Sequence, residues 1–207
     1  MKHLFILTYV LSCFSFCQAQ KLNSIYYGVS SDSLHITHQL EFKNNSTLEI
    51  STLPRHMSRQ FKMTFNYKRV GETIKIISDN IITQDSIALI KNGLSQFLNK
   101  PVFIINGKAL TDRSSKTVYV LYTDFQRNYY LTYLIDGKSY KQETGGLSDA
   151  YGLIKYYPKD NKALQRKLTS IKDDLDNYTI HVYKGLDAYD KFGYDSVFGV
   201  IELKHKK

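Results

Sequence analysis

The residue types that could perform chemistry are present in this sequence, but their spacing forms no active-site motif. His35 and His38 lie three residues apart in a segment whose pattern predicts a strand, and side chains at that spacing point to opposite faces of a strand. A protein-bound metal ion needs three or four converging ligands, and the sequence offers no third ligand beside this pair. We therefore expect solvated or hydrogen-bonded histidines and no metal site.

Acidic and nucleophilic side chains lead to the same expectation. Asp173, Asp174 and Asp176 end a predicted helix without the spacing of a calcium loop, which indicates a solvated face. No serine lies in Gly-x-Ser-x-Gly or Ser-x-x-Lys, and Gly145-Gly146 lacks the Lys and Ser/Thr of a phosphate loop. We expect no catalytic residues and no cofactor, with a hydrolase site assembled from distant residues as an alternative.

The aromatic side chains could serve recognition instead. The chain contains 17 Tyr and 11 Phe but no Trp, and tyrosines provide a large contact area at a low entropic cost. The candidate binding residues are Tyr129, Tyr133, Tyr156 and Tyr157. The alternative is that the tyrosines are half-buried sheet residues, enriched by the same compositional bias that makes Lys, Asn and Ile abundant.

The charge balance is basic but dispersed. The formal net charge is +9, and removal of residues 1–19, which contain one Lys and no acidic residue, lowers it to +8. Basic residues are scattered along the chain, and the only run is Lys204-His205-Lys206-Lys207, whereas nucleic-acid binding relies on clustered basic side chains. We expect no nucleic-acid partner, and peripheral contact with an anionic membrane surface remains open.

The first 19 residues have the pattern of a secretory signal peptide. A basic start precedes an apolar run from Leu4 to Phe16, and the small residue Ala19 follows. Cleavage after Ala19 would remove both cysteines, Cys13 and Cys17, and leave a chain without disulfides. Because the residues before Cys13 are similar to a bacterial lipoprotein box, the alternative is an outer-membrane lipoprotein. Both interpretations predict an exported protein, either periplasmic or extracellular.

Residues 20–80 predict an antiparallel β meander of four or five strands. Apolar and polar residues alternate at Leu48 and Ile50 and again from Phe61 to Tyr67, which places one face of each strand in a core. The alternative is a lipocalin-like cradle for a small apolar ligand, with walls formed by Leu40, Phe42, Phe61 and Phe65.

Residues 81–207 predict a second, α/β module. Apolar residues at helical spacing follow Asp85 and, more strongly, Asp160, and residues 148–157 form a further predicted helix. Between these helices, the predicted strands are 101–105, 117–122 and 129–135, the last two forming a hairpin.

The closing stretch, residues 179–204, divides into a strand around Ile180, a short helix over 186–192 and a strand over 198–203. Gly193 suits the left-handed position that ends a helix. This order predicts a βαβ unit.

This stretch resembles the plug domain of TonB-dependent outer-membrane receptors, especially the form found in Bacteroidota. The residues that carry the resemblance are Lys184, Gly185, Ala188, Phe192, Gly193, Gly199, Val200 and Ile201. The apolar strands that end at Gly107-Lys108 and at Gly137-Lys138 are rival matches to the family's upstream strand, both at a longer spacing than in the family. The resemblance implies an exported Bacteroidota protein with a plug-like module, after which we expect no receptor barrel.

The expected fold class is therefore α+β, with an N-terminal antiparallel β meander followed by a plug-like α/β module and a C-terminal βαβ unit. The domains are a signal peptide over 1–19, a β module over 20–80 and the plug-like module over 81–207. The expected function is non-catalytic binding in the cell envelope, with a protein or glycan partner. The plug family supplies no catalytic residues.

A protein exported by this signal should begin at Gln20. Because signal peptidase requires a small residue at the cleavage position, we expect Ala19→Arg to leave the signal attached. The intact mass of the protein recovered from the periplasm of an expression host checks this. A mass corresponding to a lipid-modified chain that starts at Cys13 would favour the lipoprotein alternative.

Overall fold

The computed structural model describes residues 24–32, 38–53, 59–77, 83–128, 130–148 and 154–206 of the 207-residue chain. These residues form two β structures, a closed eight-stranded barrel and a five-stranded sheet. The predicted signal peptide over residues 1–19, His35 and Tyr129 lie outside the described residues.

The barrel is an antiparallel meander whose first and last strands also pair. Its strands are β1 (Ile25–Ser30), β2 (His38–Phe42), β3 (Thr47–Thr52), β4 (Lys62–Val70), β5 (Thr73–Ile76), β6 (Val102–Asn106), β7 (Ala109–Asp112) and β8 (Thr117–Leu121). Each strand pairs with the next, and β1 pairs with β8 from Tyr26 opposite Leu121 to Ser30 opposite Thr117. Closure leaves this sheet without a free edge.

Apolar side chains fill the barrel interior. Inward and outward positions alternate along the strands, and large inward-facing residues are at most 2% exposed, among them Leu40, Ile50, Phe65, Ile74 and Phe103. Helix α1 (Thr83–Lys91) and a 3-10 helix (Ser95–Asn99) connect β5 to β6. Leu89 and Phe97 of this connection are 0% exposed and belong to the same core cluster, so the connection closes one end of the barrel.

The second β structure is a five-stranded sheet. Its strands are β9 (Tyr130–Ile135), β10 (Lys138–Ser148), β11 (Ile154–Pro158), β12 (Tyr178–Tyr183) and β13 (Val200–His205), in the order β11-β10-β9-β13-β12. The helices of this half are α2 (Tyr122–Asn128), α3 (Lys162–Ile171) and α4 (Gly185–Phe192), with 3-10 helices at Lys172–Asn177 and Tyr194–Ser196. Strands β13 and β9 run parallel, and the other neighbouring pairs run antiparallel.

This architecture corrects the predicted fold class. The chain is mostly β, with a closed eight-stranded antiparallel barrel, and is not an α+β fold of a meander followed by a plug-like α/β module. The meander continues past residue 80, because β6, β7 and β8 complete the same barrel. The pairing that closes the barrel places Tyr26 opposite Leu121. Such a distant pairing leaves no periodic signal in the sequence.

The closing stretch also differs from its prediction. A strand, a short helix and a strand are present as β12, α4 and β13, but the two strands pair antiparallel, with Ile180 opposite Leu203. A βαβ unit joins parallel strands, so this stretch is not one. The parallel neighbour of β13 is β9, the strand that precedes Gly137-Lys138. The family resemblance itself stays a prediction.

The residues that carry the resemblance lie where the sheet meets the barrel. Lys184 is the N-cap residue of α4, and Gly185 and Ala188 are buried in that helix. Phe192 is the last residue of the helix and Gly193 is its C-cap. Gly199 precedes β13, which begins with Val200 and Ile201. Leu186 and Phe198 join one buried cluster with Val29, Val118 and Val120, which face outward from β1 and β8. The outer face of the barrel is therefore the platform on which the second unit packs.

Gly185 lies at the closest approach between the two units. Its φ is +56°, and a Cβ added there would lie 2.5 to 2.7 Å from backbone atoms of Val29, Ser30 and Ser31. Ser31 Oγ also donates a hydrogen bond to the carbonyl oxygen of Lys184 at 2.9 Å. A side chain at position 185 would force α4 away from the barrel.

We expect Gly185→Ala to lower the free energy of unfolding by about 3 kcal/mol or more, since it adds a backbone collision to left-handed strain. Gly107→Ala is the matched control, because Gly107 has φ +59° with no atom within 4 Å of its Cβ position. That control should cost only about 1 kcal/mol. Urea unfolding of both variants measures the difference. Equal losses in the free energy of unfolding would contradict close packing of Gly185 against the barrel backbone.

Candidate functional site

The predicted tyrosine surface is described only in part. Tyr133 on β9 is half-buried and packs at the edge of the cluster beneath α3. The backbones of Tyr156 and Tyr157 lie in β11 opposite Gly146 and Gly145, while their side chains, like the whole of Tyr129, lie outside the described residues. Binding by these four tyrosines stays a prediction.

Helix α3 covers part of one face of the sheet. Leu164 and Ile171 of the helix form a buried cluster with Ile135, Tyr178 and Leu203 of the sheet. Asn161 Oδ1 caps the helix by accepting a hydrogen bond from the Leu164 N–H at 3.0 Å. The cover reaches Tyr178 at the start of the outer strand β12 but not Ile180 and Val182 of the same strand, which are 53% and 70% exposed.

A polar group lies inside the barrel among the apolar side chains. His38 on β2 is 2% exposed, and its Nε2 lies 3.0 Å from the hydroxyl oxygen of Tyr119 on β8. The imidazole also contacts the rings of Phe97 and Tyr119 edge-on, with centroids 5.4 Å apart in both cases. Sequence reasoning expected a solvated or hydrogen-bonded histidine, and the structure shows a buried, hydrogen-bonded one.

Burial determines the protonation of this group. It lowers the pKa of His38 to about 4, against an opposing effect from the charge of Asp112. Burial also raises the pKa of Tyr119 well above its ordinary value, and the charge of Asp112 adds to that effect. Both rings are therefore neutral at physiological pH, and the pair serves as a satisfied core contact.

Asp112, whose charge acts on His38, is held by hydrogen bonds from neighbouring serines. Asp112 Oδ1 accepts hydrogen bonds from the Ser114 N–H at 2.9 Å and hydroxyl at 2.6 Å, and its Oδ2 accepts one from the Ser115 hydroxyl at 2.6 Å. Both serines lie within three residues of Asp112, so these hydrogen bonds belong to the local turn that follows β7. This arrangement gives the hydrolase alternative no support.

The barrel interior gives the ligand-cradle alternative no support either. Leu40, Phe42 and Phe65 are at most 2% exposed and pack in one cluster, against which Phe61 lies partly buried. A groove of about 500 Å³ is present instead at one mouth of the barrel. Its walls include Glu41 and Lys43, whose charged groups are 2.7 Å apart. These charges already neutralise each other.

A continuous surface lies on the outside of the barrel where β4, β5 and β6 pair. Its exposed side chains, which we call the basic–apolar face, are Lys68, Val70, Lys75, Ile77, Val102 and Ile104. The register makes them neighbours: Lys75 lies opposite both Lys68 and Val102, and Thr73 lies opposite both Val70 and Ile104. Directly opposed residues have Cβ atoms about 4.5–5.5 Å apart, so the patch has no gap.

The apolar members of this face are unusually exposed. Val70 is 60% exposed, Ile77 47%, Val102 42% and Ile104 41%. Helix α1, which connects β5 to β6, adds Ile87 and Ile90 at 61% and 59%. Four of the nine large apolar side chains that are exposed in the described part of the chain therefore lie on this face.

The lysines of the face are not neutralised. Lys68 and Lys75 lie directly opposite each other, and within the described ranges neither takes part in an ion pair or a side-chain hydrogen bond. Like charges at opposed positions of a ladder are destabilising. By contrast, Lys62, which lies on the same outward face at the other end of β4, bonds to Glu49 at 3.0 Å. The charge pattern of the face suits an anion from outside the chain.

The described residues contain neither a metal-binding cluster nor a membrane-spanning helix. Over the residues that the structure describes, no group of three or more His, Cys, Asp and Glu side chains could hold a metal ion. No described helix is long and apolar enough to cross a bilayer. The basic–apolar face is therefore the feature of the described chain that points most directly to a binding role.

The buried His38 should make stability depend on pH. Its pKa is about 4 in the folded chain and about 6.5 when unfolded, so between those values the unfolded chain binds more protons. The contribution of His38 to the free energy of unfolding is fully present above about pH 6.5. About 3 kcal/mol of the free energy of unfolding is lost as the pH drops towards about 4. Urea unfolding of the wild type and of His38→Gln over this range isolates the contribution of His38. Parallel pH profiles of the two proteins would contradict the assignment.

Comparison with known proteins gives no family assignment. No family model matches the sequence, and no curated protein or solved structure matches the chain.

Proposed function

We propose that this chain is an exported, non-catalytic binding protein of the bacterial cell envelope, and that its basic–apolar face attaches it to an anionic lipid surface. The observation that carries the proposal is the register that places the unneutralised Lys68 and Lys75 beside exposed Val70, Val102 and Ile104.

The two kinds of side chain on this face fit the two layers of a membrane interface. A lysine near an anionic leaflet contributes about 1 kcal/mol through attraction to lipid phosphates. Exposed valine and isoleucine side chains gain by leaving water at the boundary between headgroups and acyl chains. A soluble anion would use the lysines but leave the apolar neighbours in water. The combination therefore favours a lipid surface over a free phosphate.

Attachment through this face also fits the two predictions for the chain start. If the chain is released after Ala19, the face is the membrane contact. If Cys13 is lipidated, the lipid anchors the start of the chain, and the face holds the barrel against the same membrane surface. The predicted protein or glycan partner stays a separate prediction, and the geometry assigns it to no surface.

The test is binding of the purified protein to vesicles by co-sedimentation. Wild type should bind vesicles of phosphatidylglycerol and phosphatidylethanolamine, and should bind phosphatidylcholine vesicles much less. Replacing Lys68 and Lys75 together by Gln should weaken binding to the anionic vesicles by about 2 kcal/mol, roughly thirtyfold. Added salt should weaken wild-type binding more than that of the double variant.

The matched control replaces Lys172 and Lys204, which are also exposed but lie in the sheet unit, by Gln. This control loses the same charge and should bind nearly as well as wild type. Val102→Ser should reduce binding without changing its salt dependence, because it removes apolar contact only. Equal binding by the two double variants, or failure of wild type to bind anionic vesicles, would refute the proposal.

A further inference from the structure

Strand β12 is an open edge that lacks the usual protection. It is the last strand in the sheet order, and in the described part of the molecule no strand pairs with its outer side. Its sequence from Tyr178 to Tyr183 contains no Lys, Arg, Asp, Glu or Pro. The opposite edge, β11, contains Lys155 and Pro158, which are residue types that discourage edge pairing. An edge left open in this way is suited to pairing with another strand.

The register identifies which backbone groups of β12 are available. The Lys206 N–H donates to the Asn177 carbonyl oxygen at 2.7 Å, which makes that pair a hydrogen-bonded one. Hydrogen-bonded and non-hydrogen-bonded pairs alternate in an antiparallel ladder. Ile180 and Val182 therefore stand at non-hydrogen-bonded positions relative to β13, and their backbone N–H and C=O groups point outward from the sheet.

The side chains of the same two residues are exposed. Ile180 and Val182 lie on the face that α3 partly covers, beyond the end of the helix, at 53% and 70% exposure. They flank His181, which projects to the other face because side chains alternate along a strand. The edge thus presents two apolar side chains placed symmetrically about one residue.

We propose that β12 pairs antiparallel with β12 of a second copy of this chain, which forms a two-fold dimer with one continuous ten-stranded sheet. The two-fold axis passes through the His181 position. Ile180 of each copy then lies opposite Val182 of the other, in hydrogen-bonded pairs. The alternative register, centred on Ile180, would place Val182 opposite Tyr178, which is already packed beneath α3.

Charge complementarity favours a second copy as the occupant. The acidic residues Asp173, Asp174 and Asp176 precede β12, and Lys184 follows it. In the antiparallel dimer Lys184 of one copy faces Tyr178 of the other, so it approaches the acidic end of that strand. The same attraction repeats on the other side of the axis. The middle of β12 carries no acidic or lysine side chain. Pairing of two copies of β12 therefore does not place two carboxylates or two lysines opposite each other.

The test uses the chain secreted to the periplasm in a Cys13→Ser, Cys17→Ser background, so that any added cysteine is the only one. In the proposed dimer His181 faces His181 across a non-hydrogen-bonded pair, with Cα atoms about 4.5 Å apart, which lies within the range for a disulfide. His181→Cys should therefore form a covalent dimer in air. Thr179→Cys is the matched control, since its two copies would be about 13 Å apart along the strands.

A second measurement does not depend on the cysteine. Light scattering after gel filtration should give a dimer mass for wild type and a monomer mass for Val182→Lys, with the melting temperature of each determined separately. Val102→Lys, on the barrel, should remain dimeric. A monomeric wild type, a dimer that survives Val182→Lys, or cross-linking of Thr179→Cys as efficient as that of His181→Cys would overturn the proposal. Failure of vesicle binding would leave it intact, because the two surfaces lie on different units.

Discussion

Closure of the barrel by the pairing of β1 with β8 is the constraint on which the rest of the structure depends. It joins Tyr26 to Leu121 and Ser30 to Thr117, and so brings together side chains that point outward from both strands. Val29, Val118 and Val120 then form the apolar platform that Leu186 and Phe198 cover. Without closure, α4 would have no surface to pack on, and the sheet would lose its attachment.

The outer surface of the barrel is used differently around its circumference, and this difference suggests the function. The side formed by β1 and β8 is buried by the second unit. On β3 and β4, Glu49 neutralises Lys62, which is typical of a solvated surface. On β4 to β6, Lys68 and Lys75 stand together beside exposed valines and isoleucines. This last side is costly for an isolated chain, and an anionic, partly apolar surface would offset the cost.

Close packing and one polar contact determine which side chains fit inside the barrel. His38 fits only because position 28 is glycine, since a Cβ there would lie 2.8 Å from the imidazole. The bond to Tyr119 pairs the hydroxyl group with His38 Nε2, and an unsatisfied polar group in this position would cost about 1–3 kcal/mol. The pair therefore restricts which residues can stand at positions 28, 38 and 119, where β2 and β8 flank β1.

Local pattern in the sequence was sufficient for the elements that bury one face. Alternation identified the strands near Ile50 and Phe65, and helical spacing after Asp160 identified α3, because each element buries one face of its own. The same reasoning was wrong for the helix predicted over residues 148–157, of which 154–157 lie in β11. It was also wrong for the hairpin across 124–128, where α2 instead separates the two β structures. Local pattern did not identify the partner of each strand, because the hydrogen bonds between β1 and β8, or between β13 and β9, join residues far apart in the chain. Only the tertiary structure could decide which faces are covered, and hence which residues remain free to bind.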